Sequence, residues 1–481
     1  MSDTIKTDVA VVGAGICGLA AALTVAEAGA RVTLFEKQKS PGGSSNFFQG
    51  TFAVESKMQR ERSIMYSCDE AFQAIMDYSH WKANARLVRA IVEESAATID
   101  WLAQNGVEFL DVATNMPPAQ PTYHIAKGKG AAIVMQLTTI AKEKGIDIRL
   151  ETPVTELIKT GGRITGLIAE VDGEEVECEA KAVIIASGGY ANNKEWMKKY
   201  HGYDIGVNLI PYGNVGKMGD GIRMAWEAGA AAEGMNAVEI IAIGPLASEF
   251  DMMNDLEGAT TQPDLRVDPN GKRYCDEGIS FYDTNVGNAN SRFAGGFTYH
   301  ILDDAVIHRL ETYGMDKGGG ADRKPGTRLF GVKKFIEAAV EHGSDQVFAG
   351  GSIAELAEKI NIDPAVLTET IEEYNCFCAK GHDDHFVKKP KYLRSIVGPN
   401  YYAVKVWTTI LGTKGGIRVN EKLEAVDKSD IPIKGLYAGG FDAGGIHSDS
   451  YPITVCSGMS SGFAVNSGRI AGRNAVKYIR D

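Results

Sequence analysis

The sequence predicts an α/β fold: a parallel sheet flanked by helices, with a small antiparallel layer and an inserted α+β domain. Three observations carry this. Residues 8–36, DVAVVGAGICGLAAALTVAEAGARVTLFE, read as strand, glycine turn, alanine-rich helix and second strand. Two more apolar runs, AVII before Ser187 and GLYA before Gly439, also stop in glycine pairs. Between about 240 and 400 the pattern changes to amphipathic helices, as in KKFIEAAVEH and AELAEKINIDPAVLTETIEEYNCF, the latter with Pro364 near a helix start.

The first stretch has the chemistry of a dinucleotide site. Gly13 makes the turn, Gly15 lets the backbone approach a pyrophosphate, and Gly18 allows close packing of helix on strand. The helix start then offers unpaired N–H groups and a positive dipole end. Glu36 closes the second strand 18 positions after Gly18, near the roughly 20 at which a carboxylate meets ribose hydroxyls. This is a Rossmann-like nucleotide-binding unit. The segment IDIRLETPVTELIKTGGRITGLIAEVDGEEVECEA alternates apolar and polar residues around Gly161-Gly162, which predicts the antiparallel layer. The last segment, SGMSSGFAVNSGRIAGRNAVKYI, reads as a closing helix. The expected division is a nucleotide-binding domain of residues 1–240 and 401–481, with a cap or substrate domain of 241–400 between.

Composition narrows the function. With 481 residues and 44% hydrophobic content, two substantial cores can form. Fifty basic against 62 acidic residues leave a net charge of −12, which disfavours nucleic acid and anionic membrane surfaces as partners. No apolar segment approaches the roughly 20 residues of a membrane span, and MSDTIKTD runs straight into the first strand, which predicts no signal peptide. The seven cysteines (Cys17, Cys68, Cys178, Cys275, Cys376, Cys378, Cys456) show no repeated spacing, as in a reduced cytoplasmic protein. No metal site is expected, and His382-Asp383-Asp384-His385 reads as a solvated loop.

The cofactor is chosen by the later glycine segments. Ser40-Pro41-Gly42-Gly43-Ser44-Ser45 follows the Glu36 strand, and strand ends at Gly188-Gly189 and Gly439-Gly440 place one cofactor between the first and last portions of the chain. No second GxGxxG follows a strand, so electrons are expected to pass to or from an external acceptor or donor.

Seven collinear segments, VVGAGICGLAAAL, EK…PGGSS, IIASGGY, GDGI, NGKRYCDE, TKGGI and GLYAGGFDAGG, make the chain resemble the flavoprotein family of fumarate reductase, urocanate reductase and the 3-ketosteroid dehydrogenases. The resemblance implies FAD, with a cap domain over the flavin. Members that attach flavin covalently use a histidine near the second glycine loop. GGSSNFFQG has none, so non-covalent FAD is expected. Motifs and resemblance together assign cofactor contacts to Gly13, Ala14, Gly15, Gly18, Glu36, Lys37, Gly42, Gly43, Ser44, Ser45, Val154, Ser187, Gly188, Gly189, Asp220, Gly440 and Asp442.

The resemblance also bears on the substrate. The dicarboxylate reductases clamp their substrate with two histidines and an arginine, and protonate it from a second arginine. Those positions here fall near Gly244 in AIGPLAS, at Gly412, in SDSYPITV and at Tyr282. Charge-assisted hydrogen bonds of about 1.5–3 kcal/mol each are thereby lost to a dianion. The ketosteroid dehydrogenase pattern fits better. Its Tyr-Pro segment matches Tyr451-Pro452-Ile453-Thr454-Val455, although the family usually has glycine where Val455 stands. The resemblance implies that the Tyr451 phenol and the Val455 N–H hold a ketone oxygen, and that Tyr282 takes the α-proton. Tyr123 or His124 would relay that proton, while Arg273 is expected to be structural and His447 to contact the flavin. The expected reaction interconverts a cyclic, apolar ketone and its α,β-unsaturated form, with cyclohexanone-sized to steroid-sized substrates. An enoate reductase and a flavin-bearing electron-transfer subunit are the alternatives.

Overall fold

A computed structural model describes residues 4–114, 119–246, 254–319, 323–447 and 451–481. The chain forms two compact units: Met1–Gly202 with Gly213–Glu239 and Leu411–Asp481, and Tyr203–Tyr212 with Ile240–Ile410. Among the described residues no helix is long and apolar enough to cross a membrane.

The first unit is built on a parallel sheet. Strand Val9–Val12 lies between Val32–Phe35 and Ala182–Ile185, and the latter pairs on its other side with Pro432–Ala438. The four strands are largely apolar, with only Thr33 and Lys434 polar, as a sheet covered on both faces requires. Register places Val12 beside both Phe35 and Ile185, and Ile185 beside Ala438. The residues that follow therefore emerge along one edge: Gly13, Glu36, Ala186 and Gly439.

The alternating segment folds as expected into strands Val154–Thr160, Arg163–Val171 and Glu174–Glu179, joined antiparallel. Thr160 pairs with Arg163 and Val171 with Glu174, so both connections have two residues. Gly161, Gly162, Asp172 and Gly173 all have positive φ, the backbone that a twisted two-residue hairpin needs. The closing helix is Met459–Arg480. Its Ser467 hydroxyl accepts from Gly440 N–H at 2.9 Å and lies 3.7 Å from Cys17 Sγ, on helix Ile16–Glu27.

In the second unit, strand Phe297–Asp303 pairs antiparallel with Tyr401–Trp407, and Val347–Gly350 pairs with Tyr401–Val404. Ile210–Pro211 pairs with Thr409–Ile410, which draws residues 203–212 into this unit rather than the first. Helices Val332–Glu341, Ile353–Lys359 and Pro364–Lys380 supply Ile336, Leu356, Leu367 and Ile371 to a core shared with Ile301 and Val404. Pro364 is in the first turn of its helix, behind an Asp363 cap whose carboxylate accepts from Ala365 N–H at 2.9 Å.

The segment at 382–385 differs from the solvated loop expected. The His382 and His385 side chains are largely exposed, but Asp383 is fully buried. It receives Arg273 through both carboxylate oxygens, at 2.9 and 2.7 Å. Arg273 also forks onto Glu277 at 2.8 and 2.9 Å, and Lys388 reaches Glu277 at 3.1 Å. Two cations and two carboxylates are thus neutralised inside the unit, the Arg273–Glu277 pair among them. Arg273→Met strands two buried carboxylates and is expected to cost about 3–5 kcal/mol. Lys380→Met, removing an exposed partner of Asp384, should cost no more than about 1 kcal/mol. Urea unfolding of the two variants checks the contrast.

Candidate active site

The sheet edge of the first unit forms the wall of a cavity. Gly18 has no side chain because a Cβ there would stand 1.8 Å from Gly13 O, so glycine lets the helix start directly behind the turn. Gly42 N–H donates to Ala14 O at 2.8 Å, and the Ser45 hydroxyl accepts from Ile16 N–H at 3.0 Å. These bonds fasten the second glycine loop over the helix N-terminus. Glu36 spans the gap between them: its carboxylate accepts from Ala14 N–H and Gln38 N–H, each at 2.8 Å. Lys37 pairs with Asp220 at 2.5 Å.

Of the residues assigned to the cofactor, Gly13, Gly15, Glu36, Lys37, Gly42, Gly43, Ser44, Ser45, Val154, Ser187, Gly188, Asp220 and Gly440 line this cavity. Ala14, Gly18, Gly189 and Asp442 support it from behind. Asp442 is fully buried, and its carboxylate accepts from Ser187 Oγ, Gly188 N–H and Gly189 N–H at 3.1, 2.9 and 3.0 Å. Three converging donors turn it toward the mid-chain glycine turn instead of the cofactor. Burial pushes its pKa up, against the pull of those amides.

The donor set fits FAD. A helix N-terminus and two serines suit a pyrophosphate, Glu36 suits a ribose, and Phe35, Phe48 and Phe441 give the cavity apolar surface.

Beside Ser460, which lines the same cavity, stands a cluster that sequence reasoning missed. Lys414, from the TKGGI segment, pairs with Glu239 at 2.5 Å, with side chains 1% and 7% exposed. Its ammonium also donates to the Ser460 hydroxyl. It lies 4.2 Å from the Phe441 ring centre and 4.5 Å from that of Tyr451. Ser460 N–H donates to the Tyr451 phenol oxygen at 3.3 Å. Burial first, then Glu239, raise the Tyr451 pKa well above its ordinary value. Burial lowers that of Lys414, while Glu239 holds it up. His447 packs edge-on against Tyr451 at 5.1 Å and is kept neutral by burial and by Lys414. TKGGI reads in sequence as a glycine motif, and nothing local marks Glu239, 175 residues away, as its partner.

The remaining predicted residues diverge. Tyr123 is buried near Tyr451, its oxygen accepting from Gln49 N–H at 3.2 Å, with burial pushing its pKa up to about 12. His124 points the other way from strand Tyr123–Ala126. Its ring nitrogens meet Ser56 Oγ at 2.6 Å and Thr122 O at 3.1 Å, so it is a structural residue, not a relay. Val455 N–H is already spent on Pro452 O, at 3.1 Å within a tight turn, which removes it as the second donor to a ketone. Tyr282 belongs to the second unit, where it precedes helix Asp283–Asn290 and its N–H donates to Ile279 O at 2.8 Å. Ser448, Asp449 and Ser450 of the SDSYPITV segment lie outside the described residues. Neither Gly412, at one of the family's histidine positions, nor Gly244, near the other, has free space for a side chain. A Cβ on Gly412 would stand 2.5 Å from the Phe441 ring, and one on Gly244 would stand 2.0 Å from Lys405 O.

Comparison with known proteins agrees with this cavity. Residues 8–452 match the family model described as FAD binding domain. A vinyl phenol reductase of Lactiplantibacillus plantarum (strain ATCC BAA-793 / NCIMB 8826 / WCFS1) is 34% identical over 480 residues, 98% of this chain and 96% of the relative. A cytochrome-type fumarate reductase of Shewanella frigidimarina is 28% identical, over 98% of this chain and 77% of its own. The solved 3-ketosteroid-Δ4-(5α)-dehydrogenase of Rhodococcus jostii RHA1, in complex with 4-androstene-3,17-dione, superposes with a TM-score of 0.75 at 23% identity. That likeness covers 98% of this chain and 97% of the other, and it is one of fold.

The chain belongs to the FAD binding domain family. Within it, the protein is a flavin-dependent oxidoreductase. Glu36→Ala removes a charge-assisted acceptor and should weaken FAD binding about 10- to 100-fold, from about 1.5–3 kcal/mol, as read by flavin fluorescence titration. Acid precipitation of the wild type should leave FAD in the supernatant, as the absence of a histidine in Gly42–Gly50 requires of a non-covalent cofactor.

Proposed function

We propose that this protein reduces a C=C bond conjugated to a ring-borne oxygen, a ketone or a phenol, and forms that bond in the reverse direction. The observation that carries the reading is the buried Lys414–Glu239 pair against Tyr451. It occurs in a chain in which neither Gly412, at one of the family's histidine positions, nor Gly244, near the other, has space for a side chain. FAD, when bound, supplies hydride exchange with the substrate carbon. The protein's own task is then to hold the substrate oxygen as it becomes negative. A Tyr451 phenol kept protonated by its surroundings, beside the Lys414 ammonium, suits that task, because fixed donors in a dry site favour a developing oxyanion. Glu239 keeps Lys414 charged and oriented.

Hydride addition turns an enone into an enolate. A vinylphenol first gains a proton on its terminal carbon and loses the hydroxyl proton, and hydride at the benzylic carbon of that quinone methide gives the phenolate, so one set of donors serves both. The vinyl phenol reductase relative supports the phenol arm of this reading. Tyr282 remains the proposed proton carrier to carbon, and an external carrier the proposed source of electrons.

The test is to photoreduce the FAD-loaded enzyme anaerobically and mix it with 4-vinylphenol, 2-cyclohexenone or fumarate, following recovery of the oxidised flavin band. The first two should reoxidise it and fumarate should not. Tyr451→Phe should slow reoxidation by about 10²–10³-fold, the usual loss of one oxyanion donor. Reoxidation by fumarate alone overturns the proposal.

A further inference from the structure

Two buried ammonium groups lie against the Phe441 ring. Lys414 is 4.2 Å from its centre and Lys217 is 4.6 Å. Lys414 has its carboxylate, but Lys217 has none. Among the described residues no acidic oxygen stands within salt-bridge distance of the Lys217 ammonium, and its one hydrogen-bond acceptor is Leu411 O at 3.4 Å. The residue is 4% exposed and its side chain lines the cavity. Its backbone is fixed at both sides by Asn192, with N–H on Asn192 Oδ1 at 3.2 Å and C=O on Asn192 N–H at 2.9 Å. Burial, and then Lys414, bring its pKa down to about 7, against Glu239 and Asp442.

An unpaired buried cation is costly unless an anion meets it. FAD brings two negative regions into this cavity. One is its pyrophosphate, for which the helix start at Gly15 and the Ser45 loop are already arranged. The other is the isoalloxazine, which becomes an anion on reduction near neutral pH. Lys217 shares Phe441 with Lys414, and Lys414 reaches Ser460 and Tyr451. Lys217 thus stands with the group assigned to chemistry, apart from the pyrophosphate donors.

We infer that Lys217 meets the isoalloxazine of bound FAD and holds its reduced, anionic form more tightly than its oxidised form. Charge beside the flavin ring is one of the protein's means of tuning its electronics. Lys217 therefore raises the reduction potential and lets the enzyme keep electrons until a substrate arrives. The inference rests on FAD occupying this cavity and is independent of which substrate is reduced.

The experiment is to load Lys217→Met with FAD, measure oxidised FAD binding by fluorescence titration, and measure the two-electron midpoint potential against a reference dye. Reduced flavin should be held about 10- to 100-fold less tightly relative to oxidised flavin, a fall of about 30–60 mV. The affinity for oxidised FAD should change less than about threefold, well under 1.4 kcal/mol per tenfold, and Lys217→Arg should recover most of the potential. Equal weakening of both redox states, the behaviour of a pyrophosphate contact, overturns the inference, as does an unchanged potential. If the Met variant does not load, Lys217→Gln is measured the same way. Loss of FAD by both neutral variants also counts against it.

Discussion

The buried carboxylate of Asp442 is the tie on which the first unit depends. It gathers Ser187, Gly188 and Gly189 from the middle of the sequence onto a turn near the end of it. That bond set fixes two of the glycine turns that wall the cavity; the parallel register places the turn at Gly13, and hydrogen bonds to Ala14 and Ile16 hold the second glycine loop. Because Val12, Phe35, Ile185 and Ala438 end level with one another, small displacements in any one strand would be felt at every wall. Cofactor recognition in this fold is consequently a property of strand register first and of individual side chains second.

Much of this was legible in the sequence, because it is carried by backbone. GxGxxG, Glu36 at its fixed interval, and strands ending in glycine pairs all encode places where the main chain must approach a ligand or another strand. The Gly-Gly and Asp-Gly hairpins and Pro364 at a helix start are similarly local. What was illegible depends on contacts between distant side chains. Asp442 reads in sequence as a cofactor contact, but its direction follows from three donors over 250 positions away. The family resemblance sets the Val455 amide beside Tyr451, yet a tight turn onto Pro452 spends it. Lys414 and Glu239 acquire meaning only as a pair, and Asp383 looks solvated until Arg273 is brought to it.

Charge is distributed differently in the two units. The second unit neutralises its buried Arg273 and Lys388 completely, with Glu277 and Asp383. Around Phe441 in the first unit, two buried lysines stand with one glutamate, and only Lys414 is paired with it. The polar residues of the cavity wall otherwise spend their hydrogen bonds on shaping the backbone. The aromatic ring of Phe441 occupies the volume that a side chain at position 412 would need, and the same ring provides the surface on which both lysines rest.

The bond between Cys17 and Ser467 links positions 450 residues apart, and the helix that carries Ser467 also supplies Ser460 and Ser461 to the cavity. The cavity therefore has walls that are far apart along the chain, and its closure is a sequence-distant step, intrinsically slower than forming the nucleotide-binding turn itself. An apolar half-site is exposed until those distant segments meet, so binding that needs both walls follows folding of the unit and does not precede it.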